Sequence, residues 1–308
     1  MIALPAAAQT FPNGQLRIIS PYPPGGGTDV LGRVIAQRYT ERFGHPAIVE
    51  NRVGANGTIG SAFVARAPGD GLTLLIVPAG FAANPSLYKS LPYDQSRDLA
   101  PVSQLASGPL VLVVNPTLPA RSVKELIALA RARPGELNFG SPGSGSLPHL
   151  SAELFNTMAG TKMTHVSYKG PAAAAVDLMS GQVQLYFMNV TQSLPLVAAK
   201  KLRALGVTSP RRSSTASDIP TIAEGGLKGF DMTNWYGMLV SASTPREVVA
   251  AVNTEINRIL SLPETRKGLE ATGMVVEAST AGEFGEFLKR ETAKYSRVID
   301  AAGIKGAL

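Results

Sequence analysis

Short apolar runs of strand length alternate along this chain with longer stretches of helical spacing, and no other feature restricts its fold as much. Leu16-Arg17-Ile18-Ile19-Ser20 reads as a first buried strand, closed by Pro21. From Thr28 to about Phe43, Val30, Leu31, Val34, Ile35 and Tyr39 share one broad helical face. Ala47 to Glu50 follows as a strand, Gly57 to Arg66 as a helix and Leu72 to Val77 as a third strand. Further strands are expected at about Leu110–Val114, Leu137–Gly140, Val183–Met188, Arg203–Val207 and Trp235–Val240, and a last helix from Ala281 to Ala302. Ser122-x-x-Glu125, Thr244-x-x-Glu247 and Thr280-x-x-Glu283 are capping-box patterns, with Pro245 expected at a first helical position. This order predicts an α/β protein with parallel sheets and crossover helices. The proline-rich stretch Asn84–Pro116 separates two sets of units, and the irregular stretch Thr208–Thr233 precedes a return to strand and helix. Two lobes follow as an expectation: residues 15–107 and 234–308 in the first, 108–233 in the second.

Composition narrows the function. The 308 residues allow two cores of ordinary size. Cysteine is absent, which removes disulfides, thiolate metal sites and cysteine nucleophiles. The formal net charge is +7, but the basic residues are scattered, Arg211-Arg212 being the densest pair, and aromatics total 6%. That pattern disfavours nucleic acid and suits a general attraction for small anions. No apolar run is long enough to span a membrane. Met1 to Gln9 reads MIALPAAAQ, whose small-residue end resembles the remnant of a secretory signal.

Two loops offer chemistry. In Pro21-Tyr22-Pro23-Pro24-Gly25-Gly26-Gly27-Thr28-Asp29 the bare glycine backbone lets N–H groups approach an anion at a helix start, with Thr28 as a candidate N-cap. The lysine of a phosphate-binding P-loop is missing, so phosphoryl transfer is disfavoured. The second loop is Phe139-Gly140-Ser141-Pro142-Gly143-Ser144-Gly145-Ser146-Leu147-Pro148-His149. A nucleophile elbow fails there, because Pro142 and Phe139 stand where glycines should precede Ser144 and Ser141. A dinucleotide fingerprint fails at Pro148. His45, His149 and His165 lack metal-ligand spacing, and no cofactor is indicated. Trp235 reads as core or hinge packing. The rival to a binding protein is a hydrolase of small esters using a loop serine, for which His149 is the local base. A structural or adhesive surface protein is a third reading.

These loops, in this order, resemble the substrate-binding receptors of tripartite tricarboxylate transporters, the Bug-type solute-binding proteins. The resemblance runs from about Leu16 to Ile304 through PYPPGGGTD, VENRVGANGTIG, NPSLYKSLPYD, FGSPGSGSLPHL, YKGPAAA, SGQVQLYF, LRALGVTSPRR and IPTIAEGG. It implies a type II periplasmic binding-protein fold, two α/β lobes joined by crossing strands. It also implies a periplasmic receptor, not an enzyme, expected as a monomer. Such a receptor hands a small di-, tri- or aromatic carboxylate to membrane transporter subunits or a sensor kinase. Carried onto this chain, the family's carboxylate clamp falls on Tyr22, Gly26, Gly27, Thr28 and Asp29, with Ala79, Gly80 and Asn84 bordering the pocket. From the second lobe it falls on Ser141, Ser144, Ser146, His149 and Lys169. Asn189 stands where many relatives carry an acid; facing the cleft, it disfavours an ammonium-bearing ligand and favours one whose far end is a second carboxylate or neutral.

Overall fold

The computed structural model describes residues 14–308, so the signal-like Met1–Gln9 lies outside the described residues. β1 (Leu16–Ser20), α1 (Gly27–Phe43), β2 (Ala47–Asn51), α2 (Thr58–Ala65) and β3 (Thr73–Pro78) are the opening units. β1 pairs in parallel with both β2 and β3. Thr73 to Val77 of β3 is buried throughout, as an apolar run in a central strand should be, whereas β2 is half-buried at the sheet edge. α3 (Asn84–Leu87) and β4 (Leu99–Gly108) follow, and the chain then crosses to a second sheet.

The second sheet holds β5 (Leu110–Val114), β6 (Asn138–Ser141), β7 (Thr164–Ser167), β8 (Leu185–Asn189) and β9 (Arg203–Val207), in the order β7-β6-β8-β5-β9. α4 (Val123–Ala132), α5 (Leu147–Ala159), α6 (Pro171–Ser180) and α7 (Val190–Ala198) connect them. The chain returns through β10 (Asn234–Ser241), α8 (Arg246–Ser261), α9 (Pro263–Glu270), β11 (Val275–Val276) and α10 (Ala281–Ala302). β10 inserts between β3 and β4, giving the first sheet the order β11-β4-β10-β3-β1-β2.

Both sheets are mixed rather than parallel: β10 runs against β3 and β4, and β5 runs against β8 and β9. β5 and β10 lie where the chain enters a sheet at a crossing, so no helix reverses them, and β11 also runs against β4 at the outer edge. The stretch 84–116 is correspondingly not a linker but contains the long β4. Its residues do not alternate cleanly, because the β4–β10 register shifts twice, at Tyr236/Gly237 and at Met238/Leu239. Pro101 is tolerated because the outer neighbour β11 reaches only Ala106 and Ser107.

Helix starts divide by their chemistry. Thr280 and Glu283 form the full reciprocal capping box of α10. Ser122 accepts from the Glu125 N–H, but the Glu125 carboxylate reaches the Arg121 N–H instead of completing the box. At α8 the N-cap is Pro245 with no side-chain bond, so Thr244 is not the cap and Pro245 stands one position earlier than its pattern suggested. Thr28 is not a cap either: Gly26 caps α1, with no side chain to offer. α10 packs against β4, α3, α8 and α5, so one helix reaches elements of both sheets. Its Phe284 and Phe287 meet the edge of the Trp235 ring, whose Nε1–H donates to Glu291 at 2.9 Å.

Candidate ligand site

Strand direction brings the two loops to one place. β1 and β3 are parallel and end at Ser20 and Pro78; Tyr236, near the start of β10, lies opposite Pro78. Asn234 pairs with Gly108, so the outgoing and returning chain sit side by side at this same edge. In the second sheet β6, β7 and β8 run in parallel toward Ser141, Ser167 and Asn189, and Leu110 at the start of β5 pairs with Asn189. Both crossings therefore leave from the carboxyl ends of the parallel strands, which is where open α/β sheets bind ligands.

In the first lobe, Asp29 organises its own loop. Its carboxylate accepts from the Gly25 N–H at 3.0 Å, from Arg33 at 2.9 and 3.1 Å and from Asn51 Nδ2 at 3.0 Å. Burial alone would raise this carboxyl, but those hydrogen bonds and the Arg33 charge hold it below the usual carboxylate range. Asp29 is thus a strut of the glycine loop. Thr28 pairs with the Ser20 hydroxyl at 2.8 Å. Among the described residues the Gly27 and Thr28 amides at the start of α1 have no hydrogen-bond acceptor. Gly27 must lack a side chain, since a Cβ there falls 2.2 Å from the Tyr236 hydroxyl. Asn234 donates to that hydroxyl at 2.9 Å, and burial pushes the phenol up to about 12.

A second knot joins Tyr22, Asn56 and Asn84. The Tyr22 hydroxyl donates to the Asn56 carbonyl at 3.1 Å, and Asn56 Nδ2 donates to Asn84 Oδ1 at 2.8 Å. Burial drives the Tyr22 phenol well above its ordinary value, so it stays a donor at neutral pH. Ala79 and Gly80 form the buried turn after β3, and Asn84 is fully buried at the start of α3. Asn56 holds a left-handed φ of 49°. It was absent from the sequence-derived site, although its Asn-Gly step is the usual signature of that conformation.

In the second lobe the serine loop rests on two histidines. Ser141, with no exposed surface, lies 2.7 Å from His165 Nε2 and also bonds the Gly143 carbonyl and N–H. His149 Nδ1 accepts the Gly145 N–H at 3.0 Å. The two imidazoles stack at 3.8 Å, with Phe139 on the His165 side at 5.0 Å. Burial, then the neighbouring His149, pushes His165 down to about 4, so it is neutral at pH 7. Ser146 donates to the Gly143 carbonyl at 2.6 Å. Ser144 is exposed at the loop apex, and among the described residues its hydroxyl has no partner. Lys169 and Asn189 are exposed just beyond β7 and at the end of β8.

The loops of the two lobes touch. A Cβ on Gly145 would lie 2.5 Å from Leu87 Cδ1 and 3.6 Å from Asn56 Nδ2, and one on Gly80 would lie 3.8 Å from the Gly145 carbonyl. Tyr22, Gly80, Asn84 and the Ser141–Ser146 loop therefore meet around Asn56 and Gly145. A groove of about 960 Å³ lies elsewhere, between residues 85–101 and α10, and holds none of these groups. No group of His, Asp and Glu able to hold a metal occurs among the described residues.

The geometry also bears on the hydrolase reading. The histidine beside a loop serine is His165 from β7, not His149, whose Nδ1 is taken by the Gly145 N–H. Ser141 is sealed from solvent, and among the described residues no carboxylate bonds to His165. A nucleophile needs an exposed hydroxyl and an oriented base; this serine has neither.

The family model for tripartite tricarboxylate transporter receptors matches residues 31–304. The chain belongs to that family. It is a family of receptors, not enzymes. Protein BugT of Bordetella pertussis is 36% identical over 306 residues, covering 99% of this receptor and 94% of that protein. An R. palustris protein solved with adipate, Rpa4515, superposes with a TM-score of 0.88 at 36% identity, over 96% of this receptor and 99% of that chain. MatC from Rhodopseudomonas palustris, solved with bound malate, superposes at 0.82 and 27% identity over 94% and 100%. The periplasmic binding protein BugD gives 0.84 at 29% identity over 96% and 99%. The receptor thus has the two-lobed binding-protein fold, and among the described residues no helix is long and apolar enough to cross a membrane.

Proposed function

We propose that this receptor captures a small dicarboxylate, or a related tri- or aromatic carboxylate, between a first lobe of residues 15–107 and 234–308 and a second of residues 108–233. The observation that supports the reading is the contact of the loop before α5 with Asn56 and Gly80 of the first sheet's side, where Asn56 is bonded by Tyr22 of the glycine loop; the Gly27 and Thr28 amides and the Ser144 hydroxyl of those two loops are unpaired among the described residues. Adipate and malate in the relatives support the ligand class. Tyr22, Gly26, Gly27, Thr28, Asn56, Gly80 and Ser144 are assigned to the ligand's surroundings. Asp29, Asn84, Ser141, Ser146 and His149 hold those groups in place. Lys169 and Asn189 are assigned to the far end of the cleft, where an uncharged Asn189 suits a second carboxylate better than an ammonium group.

Each hydrogen bond to a carboxylate contributes about 1.5–3 kcal/mol. Several such bonds, less the cost of ordering, suit micromolar capture with hinge closure. We further assign the receptor to the periplasm, as a monomer handing its cargo to membrane transporter subunits or to a sensor kinase. The test is a thermal-shift screen against mono-, di- and tricarboxylates. Ligand at a hundred times its dissociation constant raises stability by about 2.7 kcal/mol. A shift confined to dicarboxylates carries the proposal. No shift with any carboxylate, repeated after unfolding and refolding to strip resident ligand, overturns it.

A further inference from the structure

We infer that Leu308 is a positioning residue which, with Leu87, forms an apolar seat for Gly145 and so biases the two lobes toward closure on the ligand. The inference rests on the carboxylate-capture reading above. Gly145 belongs to the serine loop of the second lobe, and its α-carbon faces side chains of the first. A Cβ built there would lie 2.5 Å from Leu87 Cδ1, 3.4 Å from Leu308 Cδ1 and 3.6 Å from Asn56 Nδ2. Two leucine methyl groups from one lobe thus flank bare backbone of the other, beside the Asn56 that Tyr22 bonds. The Gly145 N–H is already bonded within its own lobe, to His149 Nδ1 at 3.0 Å, so what it offers the seat is its α-carbon.

The segment after α10 holds Leu308 at that place. α10 ends at Gly303, whose left-handed φ of 68° turns the chain back, and Ile304 then packs on the core. Gly306, left-handed again at φ 61°, donates its N–H to the Ser86 carbonyl at 3.0 Å, and Leu308 donates its own to the Leu87 carbonyl at 3.0 Å. Those carbonyls stand at the end of α3, where a helix leaves its acceptors without partners. The segment therefore closes off the short helix that opens with Asn84, and backbone bonds tie Leu308 to the first lobe while its Cδ1 meets the second. Leu87 is 1% exposed and part of the core, whereas Leu308 keeps 39% of its surface exposed, so Leu308 is the half of the seat that can be altered without cutting into the core. Closure covers apolar surface that opening returns to water, and that difference favours the closed state. For a leucine buried only in part it is worth a factor of about five in the equilibrium.

The test uses the whole receptor and two readouts, one of which needs no ligand. The chain has no cysteine, so spin labels attach only where cysteines are introduced. Val53→Cys and Val176→Cys, both at exposed positions and one in each lobe, report the distance between the lobes by pulsed electron resonance without ligand. Stopped-flow mixing with adipate gives the association and dissociation rates. In a Leu308→Gly background the ratio of long to short label distances should rise about fivefold, and adipate should leave about fivefold faster with its association rate unchanged. Leu308→Met, which restores an apolar side chain of similar volume, should recover most of both losses. Unchanged label distances in Leu308→Gly overturn the inference, as does an unchanged dissociation rate or an equal loss in Leu308→Met. A lowered thermal midpoint with unchanged distances would make Leu308 a merely structural residue and overturns it too. Failure of adipate to bind the unaltered receptor counts against the ligand class alone, and the label distances still decide the role of Leu308.

Discussion

Gly27→Ala is a one-carbon change whose cost can be worked from its surroundings. The new Cβ would lie 2.2 Å from the Tyr236 hydroxyl oxygen, 2.4 Å from Cζ and 2.7 Å from Cε1. Tyr236 cannot swing aside, because β10 is paired on both edges, to β3 and β4, and Asn234 holds its hydroxyl. Carbon contacts settle near 3.5 Å, so the start of α1 must lift by about 1 Å. Overpacking of this kind costs about 1–3 kcal/mol, seen as a fall of a few degrees in the thermal midpoint. The same lift carries the Gly27 and Thr28 amides off the ligand, and losing one bond to a carboxylate weakens affinity about tenfold or more. Calorimetric unfolding and ligand titration measure both effects. Repeating the change in a Tyr236→Ala background removes the obstacle, so the added cost of Gly27→Ala should fall nearly to zero. An undiminished cost in that background would refute the steric reasoning, as would a single variant with unaltered midpoint and affinity.

Other changes separate binding from support. Ser144→Ala should weaken carboxylate binding without moving the thermal midpoint, since the hydroxyl is exposed and unpaired; unchanged affinity by calorimetry removes Ser144 from the site. Asp29 has its carboxyl held below the ordinary range, so its stabilising effect is fully present above the unfolded value of about 3.9 and is lost as pH falls through the lower folded value. Asp29→Asn should therefore lower stability at neutral pH and flatten the acid limb of the stability curve, measured by urea unfolding from pH 7 to about 2. Glu291→Ala strands the buried Trp235 N–H and should cost about 1–3 kcal/mol in urea unfolding followed by tryptophan fluorescence; a Glu291→Gln variant, which keeps an acceptor, should recover part of it.

Much of this architecture is legible in the chain itself, and the failures have physical causes. Strands with continuous apolar runs, such as Leu16–Ser20 and Leu110–Val114, occur where spacing predicts them, because burial on both faces leaves no other pattern. β4 escaped because two register shifts and Pro101 break its alternation. The two binding loops announce themselves through glycine and serine before a helix. Which side chains of those loops are struts could not be read, because Asp29 is satisfied by Asn51 and Ser141 by His165, partners set by the folded sheets. Asn56 and Tyr236 reach the site from another loop and from the return strand, so neither motif points to them.

The position of β10 has a consequence for how the polypeptide is made. β3 and β4 are not neighbours; each holds an edge open for a strand that begins at Asn234, after all of β5 to β9 has been synthesised. A nascent chain emerging from the ribosome can complete the second sheet before the first, although it starts later. Until residue 241 is out, the first sheet exists as two fragments with exposed hydrogen-bonding edges, open to wrong pairing. The strand order thus sets a timetable, in which the inserted half can close first, whereas the half that encloses it waits for the return strand and then for β11.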